Sequence, residues 1–234
     1  MMVADRSAPA FAARVSANTF AADVARTASQ RRQAYRLRYD VYIAEQGKRY
    51  KEADHDERLF IDELDREAAI LLVTQNGEAA GTVRANWFSS ASVRRMYADS
   101  VQQQRFSAID DDKTWICSRL AVAATCRDQR ARSALFETIY EIAVTRGTQL
   151  CFATCAPILL RLFRGYGFRE YAPPLADPIV GTLHRTLLVL DDLTHLAQVK
   201  SPFVAIAERH RLSAVERPWL NQIFSDYRAA RGAR

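Results

Sequence analysis

Glycine and proline are scarce in this chain of 234 residues, at 8 and 7. With so few glycines there is no GxxxxGK[ST] phosphate loop and no GxGxxG turn; "GYGFRE" at 165–170 lacks the third glycine. Histidine is also sparse, at positions 55, 184, 195 and 210, and no HExxH or GxSxG appears. The four cysteines (117, 126, 151 and 155) form no CxxC pair, and no histidine stands at metal-ligand spacing from them. No metal site is therefore expected, and reduced core cysteines in a cytoplasmic protein are. No run approaches the ~18 apolar residues of a membrane span. The first twenty residues carry Asp5 and no continuous apolar core, so a secretory signal is not expected.

What is present is an ordinary globular composition, 49% hydrophobic and 26% charged, with a net charge of +6. That charge favours an anionic partner without choosing among nucleic acid, an acidic protein and a phosphorylated cofactor. Nucleic acid is disfavoured because the basic residues form no dense stripe and no RNP-like aromatic motif appears.

Patterning gives an alternation of helices and strands. Residues 11–17 suit a short first strand. The stretch 29–46 has no glycine or proline and ends at Gly47, which reads as a helix, although Tyr35, Leu37, Tyr39, Val41 and Ile43 also alternate as in a strand. "AAILLVTQ" and "AAGTVRANWF" flank Asn76-Gly77, a strong hairpin signal. Residues 89–112 read as irregular. "TWICSRLAVA" reads as a strand, "RARSALFETIYEIAVTRG" as a helix closed by Gly147, and "TQLCFAT" as the next strand. That strand–helix–strand unit implies a parallel, right-handed crossover. A short helix from Pro157, strands at "GFREYA" and "TLHRTLLVL", and helices over 191–234, the last opening at Pro218-Trp219, complete the chain. The class is α/β with a mixed sheet. The expected organisation is an N-terminal extension over 1–27, a main domain over 28–190 and a helical extension over 191–234.

Charges stand inside several of these apolar elements: Arg38 in the first helix, Arg84 in the hairpin and Arg119 in "WICSRLAV". A buried arginine needs a carboxylate. Asp62 and Asp65 of "FIDELD" are placed to supply it, and the five would form a polar cluster beside the sheet.

"LRYDVYIAEQG", then "DELD", "GTVR" and Trp115-x-x-"SRLAV", taken in order, resemble the GNAT-like acyltransferases that make acyl-homoserine lactone signals. They are more similar still to the related N-acyl amino acid synthases. The resemblance covers roughly residues 30–190. It implies a GNAT-like fold: a mixed sheet splayed at its middle and flanked by helices, with an acyl-thioester arm in the V. It also implies transfer of a long acyl chain to the amine of an amino acid or similar small amine, with no tightly bound cofactor. The donor is an acyl carrier protein or acyl-CoA thioester. Carried over by position, Arg38, Asp62, Asp65, Arg84 and Arg119 fall around the acceptor side and Tyr42 at an aromatic lining position. Lys48 and Ile116 depart from the lactone-synthase pattern, which has tryptophan and glutamate there, and this weighs against lactone synthesis.

The resemblance further implies that Asp62 or Asp65 takes the acceptor's proton, which requires burial to raise its pKa. Arg84 or Arg38 grips the acceptor carboxylate. The oxyanion donors come from the backbone at Ala121, Val122 and Ala123. The segment "AATCRDQRARSA" has no glycine where acetyl-CoA enzymes carry a pyrophosphate loop. Arg127, Arg130 and Arg132 are then the expected contacts for the thioester arm, and an acyl carrier protein, with one phosphodiester and an acidic surface, suits that loop. Phe163 stands where many GNATs have a general-acid tyrosine; Tyr166 lies close by in sequence. The alternatives are a lactone synthase and a non-catalytic module that binds an acyl group or carrier protein.

Overall fold

The computed structural model describes residues 20–127 and 129–232. The strand expected over 11–17 lies outside the described residues. The first described strand is β1 (Ala21–Val24), followed by α1 (Ala28–Arg38). Thr27 caps α1 in a reciprocal box: its hydroxyl accepts from the Gln30 amide, and the Gln30 side chain accepts from the Thr27 amide. The helix does not stop at Arg38 but widens into a π-helical turn over Tyr39–Glu45. The wider turn adds residues per revolution, which is why the tyrosine-rich segment fits neither a clean helical nor a clean strand period. Gly47, at φ +64, then releases the chain.

A small antiparallel pair, β2 (Ala53–Asp54) and β3 (Leu59–Phe60), precedes a 3₁₀ turn at Glu63–Arg66. The hairpin is β4 (Ala69–Gln75) and β5 (Glu78–Trp87), with Asn76 at φ 53 and Gly77 at φ 84. Two positive φ angles give the turn the right-handed twist that paired strands need. The 89–112 stretch is not wholly irregular. It contains α2 (Ala91–Tyr97), capped by Ser90, whose apolar side is marked in the sequence only by Val93 and Tyr97 four apart.

Next come β6 (Thr114–Val122), α3 (Gln129–Thr145), β7 (Leu150–Cys155) and α4 (Leu160–Gly165), then β8 (Arg169–Asp177) and β9 (Gly181–Val189). The chain closes with α5 (Leu193–Gln198), α6 (Phe203–Arg209) and α7 (Pro218–Gly232). Among the described residues, seven strands form one sheet in the order β1-β4-β5-β6-β7-β9-β8. Only β6–β7 is parallel. The α3 crossover imposes this.

Each face of the sheet buries its own core. Trp115, Tyr140, Phe163, Phe168 and Phe203 fill one, between the sheet and α3, α4 and α6. Phe88, Phe106, Phe152, Tyr171 and Phe224 fill the other, with α2 and α7. The helices after residue 190 therefore complete both cores. Among the described residues no helix is long and apolar enough to cross a membrane.

Gly167 fixes how α5 docks. Its φ is +102, and a Cβ there would lie 2.4 Å from Leu196 Cδ2. Gly167→Ala is expected to cost about 2–4 kcal/mol, combining a strained φ with overpacking. A urea melt compared with wild type measures it, and an unchanged midpoint would contradict this packing.

Candidate active site

Strands β6 and β7 stay together for only four pairs, from Thr114↔Leu150 to Cys117↔Ala153. Beyond Cys117, β6 follows β5 out to Gly81↔Val122, while β7 follows β9 to Cys155↔His184. The sheet parts in a V. At the parting, β6 carries one extra residue: Thr82 to Arg84 on β5 spans Ala121 to Ser118 on β6. The bulge holds Arg119 at φ 55, a left-handed conformation uncommon for a non-glycine residue and unusual inside a strand.

The bulge sets which backbone groups face the V. Ala123 donates its N–H to the Ala80 carbonyl, so Ala123 and, by alternation, Ala121 turn toward β5. Val122 and Leu120 turn away from it. The Leu120 carbonyl accepts the Tyr42 hydroxyl at 2.7 Å, on the open side. Of the three residues expected to supply donors, only Val122 points its N–H into the V; Leu120 was not singled out.

Asp62 enforces the bulge. Its Oδ2 accepts from Arg119 Nε at 3.0 Å and Nη2 at 2.8 Å, and its Oδ1 accepts from Arg84 Nη1. Asp62 also caps the 3₁₀ turn by accepting the Leu64 amide, and Asp65 answers by accepting the Asp62 amide. Asp65 takes Arg38 Nη1 at 2.7 Å and lies 3.4 Å from Arg84 Nη1. Ser118 and Tyr97 accept further Arg84 donors. The faces of Phe60 and Tyr50 lie 4.4 and 4.9 Å from the Arg119 guanidinium. Three guanidinium groups thus share two carboxylates.

Burial pushes the Asp62 carboxyl upward, but Arg84 and Arg119 outweigh it and hold the pKa below the ordinary value. The reading that burial raises it to suit a base is thereby corrected. Burial likewise opposes the charge of Arg119, and Asp62 restores it, so that pKa is raised. Arg38 is lowered, burial exceeding the help from Asp65, and its Nε and Nη2 have no hydrogen-bond partner among the described residues. Burial pushes the Tyr42 hydroxyl to about 12, which keeps it a neutral donor.

Beside the parting lies a cavity of about 930 Å³. One wall is apolar and runs inward past Trp115, Ile139 and Ala143 to Tyr140, Leu190 and Phe203. There Tyr140 and Phe203 stack at 4.1 Å and 5°, and the Tyr140 hydroxyl donates to the Leu190 carbonyl. The other wall is mixed: Lys48, Tyr50, Tyr97, Ser100 and Asp177 bring polar groups to it among Met96, Leu175, Val180 and Leu183. The Cys117–Val122 edge lies between them, and Glu45, Arg127 and Arg132 border it too.

The sequence-selected residues therefore separate into two groups. Tyr42, Arg119, Ala121, Val122, Arg127 and Arg132 border the cavity. Arg38, Asp65 and Arg84 have at most 2% of their surface exposed and lie behind its wall, as does Asp62. Arg127 pairs with Glu45, whereas Arg130 lies by the Phe20 ring, away from the cavity wall. Tyr166 stacks on Phe136 at 4.2 Å, near Ser133, also off that wall; Phe163 is on it. All four cysteines are free thiols, with Cys117 and Cys151 Sγ atoms 3.3 Å apart. Lys48, Tyr50, Tyr97 and Asp177 also line the cavity; of these the sequence marks only Lys48, as a departure from the lactone-synthase pattern.

A sheet parted beside a parallel pair, with bare backbone turned onto an apolar cavity, is the architecture of a GNAT-like acyltransferase. Solved structures with this fold include the acyl-homoserine lactone synthase LasI, at TM-score 0.63 and 12% identity over 86% of this chain and 99% of that one. BjaI, described as a CoA-dependent acyl-homoserine lactone synthase, matches at 0.62 and 17% identity over 83% and 99%. FeeM, an N-acyl amino acid synthase from uncultured soil microbes, matches at 0.62 and 14% over 80% and 98%. No curated protein matches this chain in sequence. The model of the FeeM N-acyl amino acid synthase family matches residues 33–191, and the chain belongs to that family. It is an acyltransferase whose acceptor is an amine.

Replacing Asp62 by Asn strands Arg84 and Arg119 and is expected to cost about 3 kcal/mol or more. Because the folded pKa lies below the unfolded ~3.9, the carboxylate's contribution is complete above about pH 4 and is lost as pH falls through the folded value. Denaturant melts from pH 7 down to 2.5 should show the wild-type curve falling toward that of Asp62→Asn. Parallel curves would remove Asp62 from the balance.

Proposed function

We propose that this acyltransferase moves a long acyl chain from an acyl carrier protein thioester to the amine of an amino acid or similar small amine. The observation that carries the reading is the parting edge itself. Val122 N–H and the Leu120 carbonyl open onto a cavity that is apolar down to the Tyr140–Phe203 stack. A chain laid along that wall gains about 0.8 kcal/mol per buried methylene, so ten contribute about 8 kcal/mol.

In this reading the thioester carbonyl sits at the parting, where Val122 N–H receives the developing oxyanion. The amine approaches from the mixed wall. Its nitrogen forms the C–N bond, the C–S bond breaks, and the departing thiol sulfur takes up a proton in place of the one the amine releases. Asp62 and Asp65 do not take that proton. They are positioning residues that hold Arg119, and through it the bulge. The carboxylates that border the cavity are Glu45 and Asp177.

The donor is read from the cavity mouth. The glycine-free loop does not let backbone approach a pyrophosphate closely, while Arg127 and Arg132 suffice for the one phosphodiester of a carrier-protein arm. The net charge of +6 suits an acidic partner.

Mass spectrometry of products tests the reading. The purified protein receives acyl carrier protein loaded with mixed chain lengths, or the matching acyl-CoAs, with the twenty amino acids or S-adenosylmethionine as acceptor. An N-acyl amino acid from the carrier-protein arm is expected. A lactone would overturn the acceptor, equal use of acyl-CoA would overturn the donor, and carrier binding without turnover would leave a binding module.

The floor makes a separate prediction. Phe203→Ala deepens the cavity and should shift the products toward longer chains. Its cost is about 3–5 kcal/mol, so Phe203→Leu serves as the milder companion. Unchanged chain lengths in both would show that the acyl tail ends elsewhere.

A further inference from the structure

Lys48 is a cation in the cavity wall with no counter-charge in contact. Among the described residues no carboxylate lies within 4.0 Å of its Nζ, which instead stands 4.8 Å from the centre of the Tyr42 ring. It is half-buried, and that burial lowers its pKa; Asp177 raises it and Arg119 lowers it further. Its ammonium therefore has one aromatic face as its protein contact among the described residues.

Its position is specific. The same Tyr42 that carries Lys48 on its ring donates its hydroxyl to Leu120 at the parting. Lys48 therefore stands one tyrosine ring from the edge where the thioester carbonyl sits. Asp177, also in the cavity wall, accepts the Ile179 and Val180 amides with Oδ1, and its Oδ2 has no hydrogen-bond partner among the described residues. Among the described residues, Asp177, Arg119, Tyr42, Tyr50 and Glu45 line the cavity with Lys48, and Arg49, Lys51 and His55 line a second, shallower pocket that Lys48 also borders. Arg119 is already committed to Asp62 through two donors, and Glu45 to Arg127. That leaves one cation and one anion, not in contact, with uncommitted polar atoms facing the cavity.

We propose that Lys48 is the carboxylate anchor of the acceptor site and, with Asp177, makes the enzyme prefer a zwitterionic α-amino acid to a simple amine. An α-amino acid carries its amine and carboxylate on one carbon. When its nitrogen reaches the parting, its carboxylate can lie no further than neighbouring atoms allow, on the Lys48 side of the Tyr42 ring. Asp177 receives the ammonium as the acceptor enters; the nitrogen gives up one proton to water and reaches the edge as the neutral amine. The inference rests on the acyl-transfer reading given above and adds the residues that choose the acceptor.

The test compares full-length wild type, Lys48→Met, Lys48→Arg and Asp177→Asn. Each is given acyl carrier protein with tyrosine or tyramine, and with phenylalanine or phenethylamine. Wild type should prefer each amino acid. Lys48→Met should raise KM for the amino acid about 10- to 100-fold, the worth of one charge-assisted hydrogen bond, and raise KM for the amine far less. Lys48→Arg should restore most of the preference. Asp177→Asn should weaken the amino acid relative to the amine as well. The inference is overturned if Lys48→Met uses amino acid and amine as wild type does, or if only KM for the acyl carrier protein rises, which would place Lys48 on the donor. Failure of wild type with all four acceptors, given acyl-loaded carrier protein and the matching acyl-CoAs in turn, would instead overturn the acyl-transfer reading beneath it.

Discussion

Everything at this site depends on how Asp62 holds Arg119. A strand with one extra residue need not choose where the excess goes, and Arg119 takes it up at φ 55, a left-handed conformation uncommon inside a strand. Two hydrogen bonds from its side chain to Asp62 Oδ2, together with the Phe60 and Tyr50 faces, fix it there. Moving the bulge by one residue would exchange the backbone groups that face β5 with those that face the V. The ion pair therefore acts on chemistry through the strand's parity, without touching the reacting atoms.

The same network shows why α1, a helix rich in exposed arginines, turns its last one inward. Arg38 and Arg84 have no exposed surface, and their partners Asp62 and Asp65 sit on a 3₁₀ turn that the two carboxylates cap for each other. Together they tie the helix, the turn and the central strands to one another. Such a cluster is an expensive way to obtain stability alone, since well-packed apolar residues often do as well. Its yield is uniqueness of geometry. With three cations against two carboxylates, the depressed Asp62 pKa follows directly, and a group so firmly ionised is poor at accepting a proton from an amine.

Local chemistry made much of the fold legible. Asn76-Gly77 gives its hairpin, Gly147 ends its helix, and the strand–helix–strand unit has only one common handedness. The charges in apolar segments were legible as a group, because each needs a partner. Their depth was not: whether Arg84 lines a cavity or lies behind it depends on Tyr97, Ser118 and Asp62, which come from three separate segments. The parity at Ala121–Ala123 was hidden for a related reason. Nothing in "SRLAVA" marks Arg119 as the bulged residue, since no glycine stands there to permit it. Lys48 was visible in the sequence only as a residue where a related pattern has another; its placement over Tyr42 is a tertiary fact.

The two walls of the cavity come from different parts of the chain, and this has a consequence for specificity. The floor proposed for the acyl chain joins Tyr140 of α3 to Phe203 of α6, a helix beyond the segment matched by the family model. The mixed wall joins Lys48 and Tyr50, just after the π-helical turn, to Asp177 at the end of β8. Only the β6 edge, set by Arg119, is common to both. Changes at the floor alter the space open to the chain end without reaching the Lys48–Asp177 pair, and changes at that pair leave the stacked floor intact. Residues that share no partner contribute nearly independently. Acyl length and acceptor identity can then vary separately in such a protein, while the ion-paired bulge between them has little freedom to change.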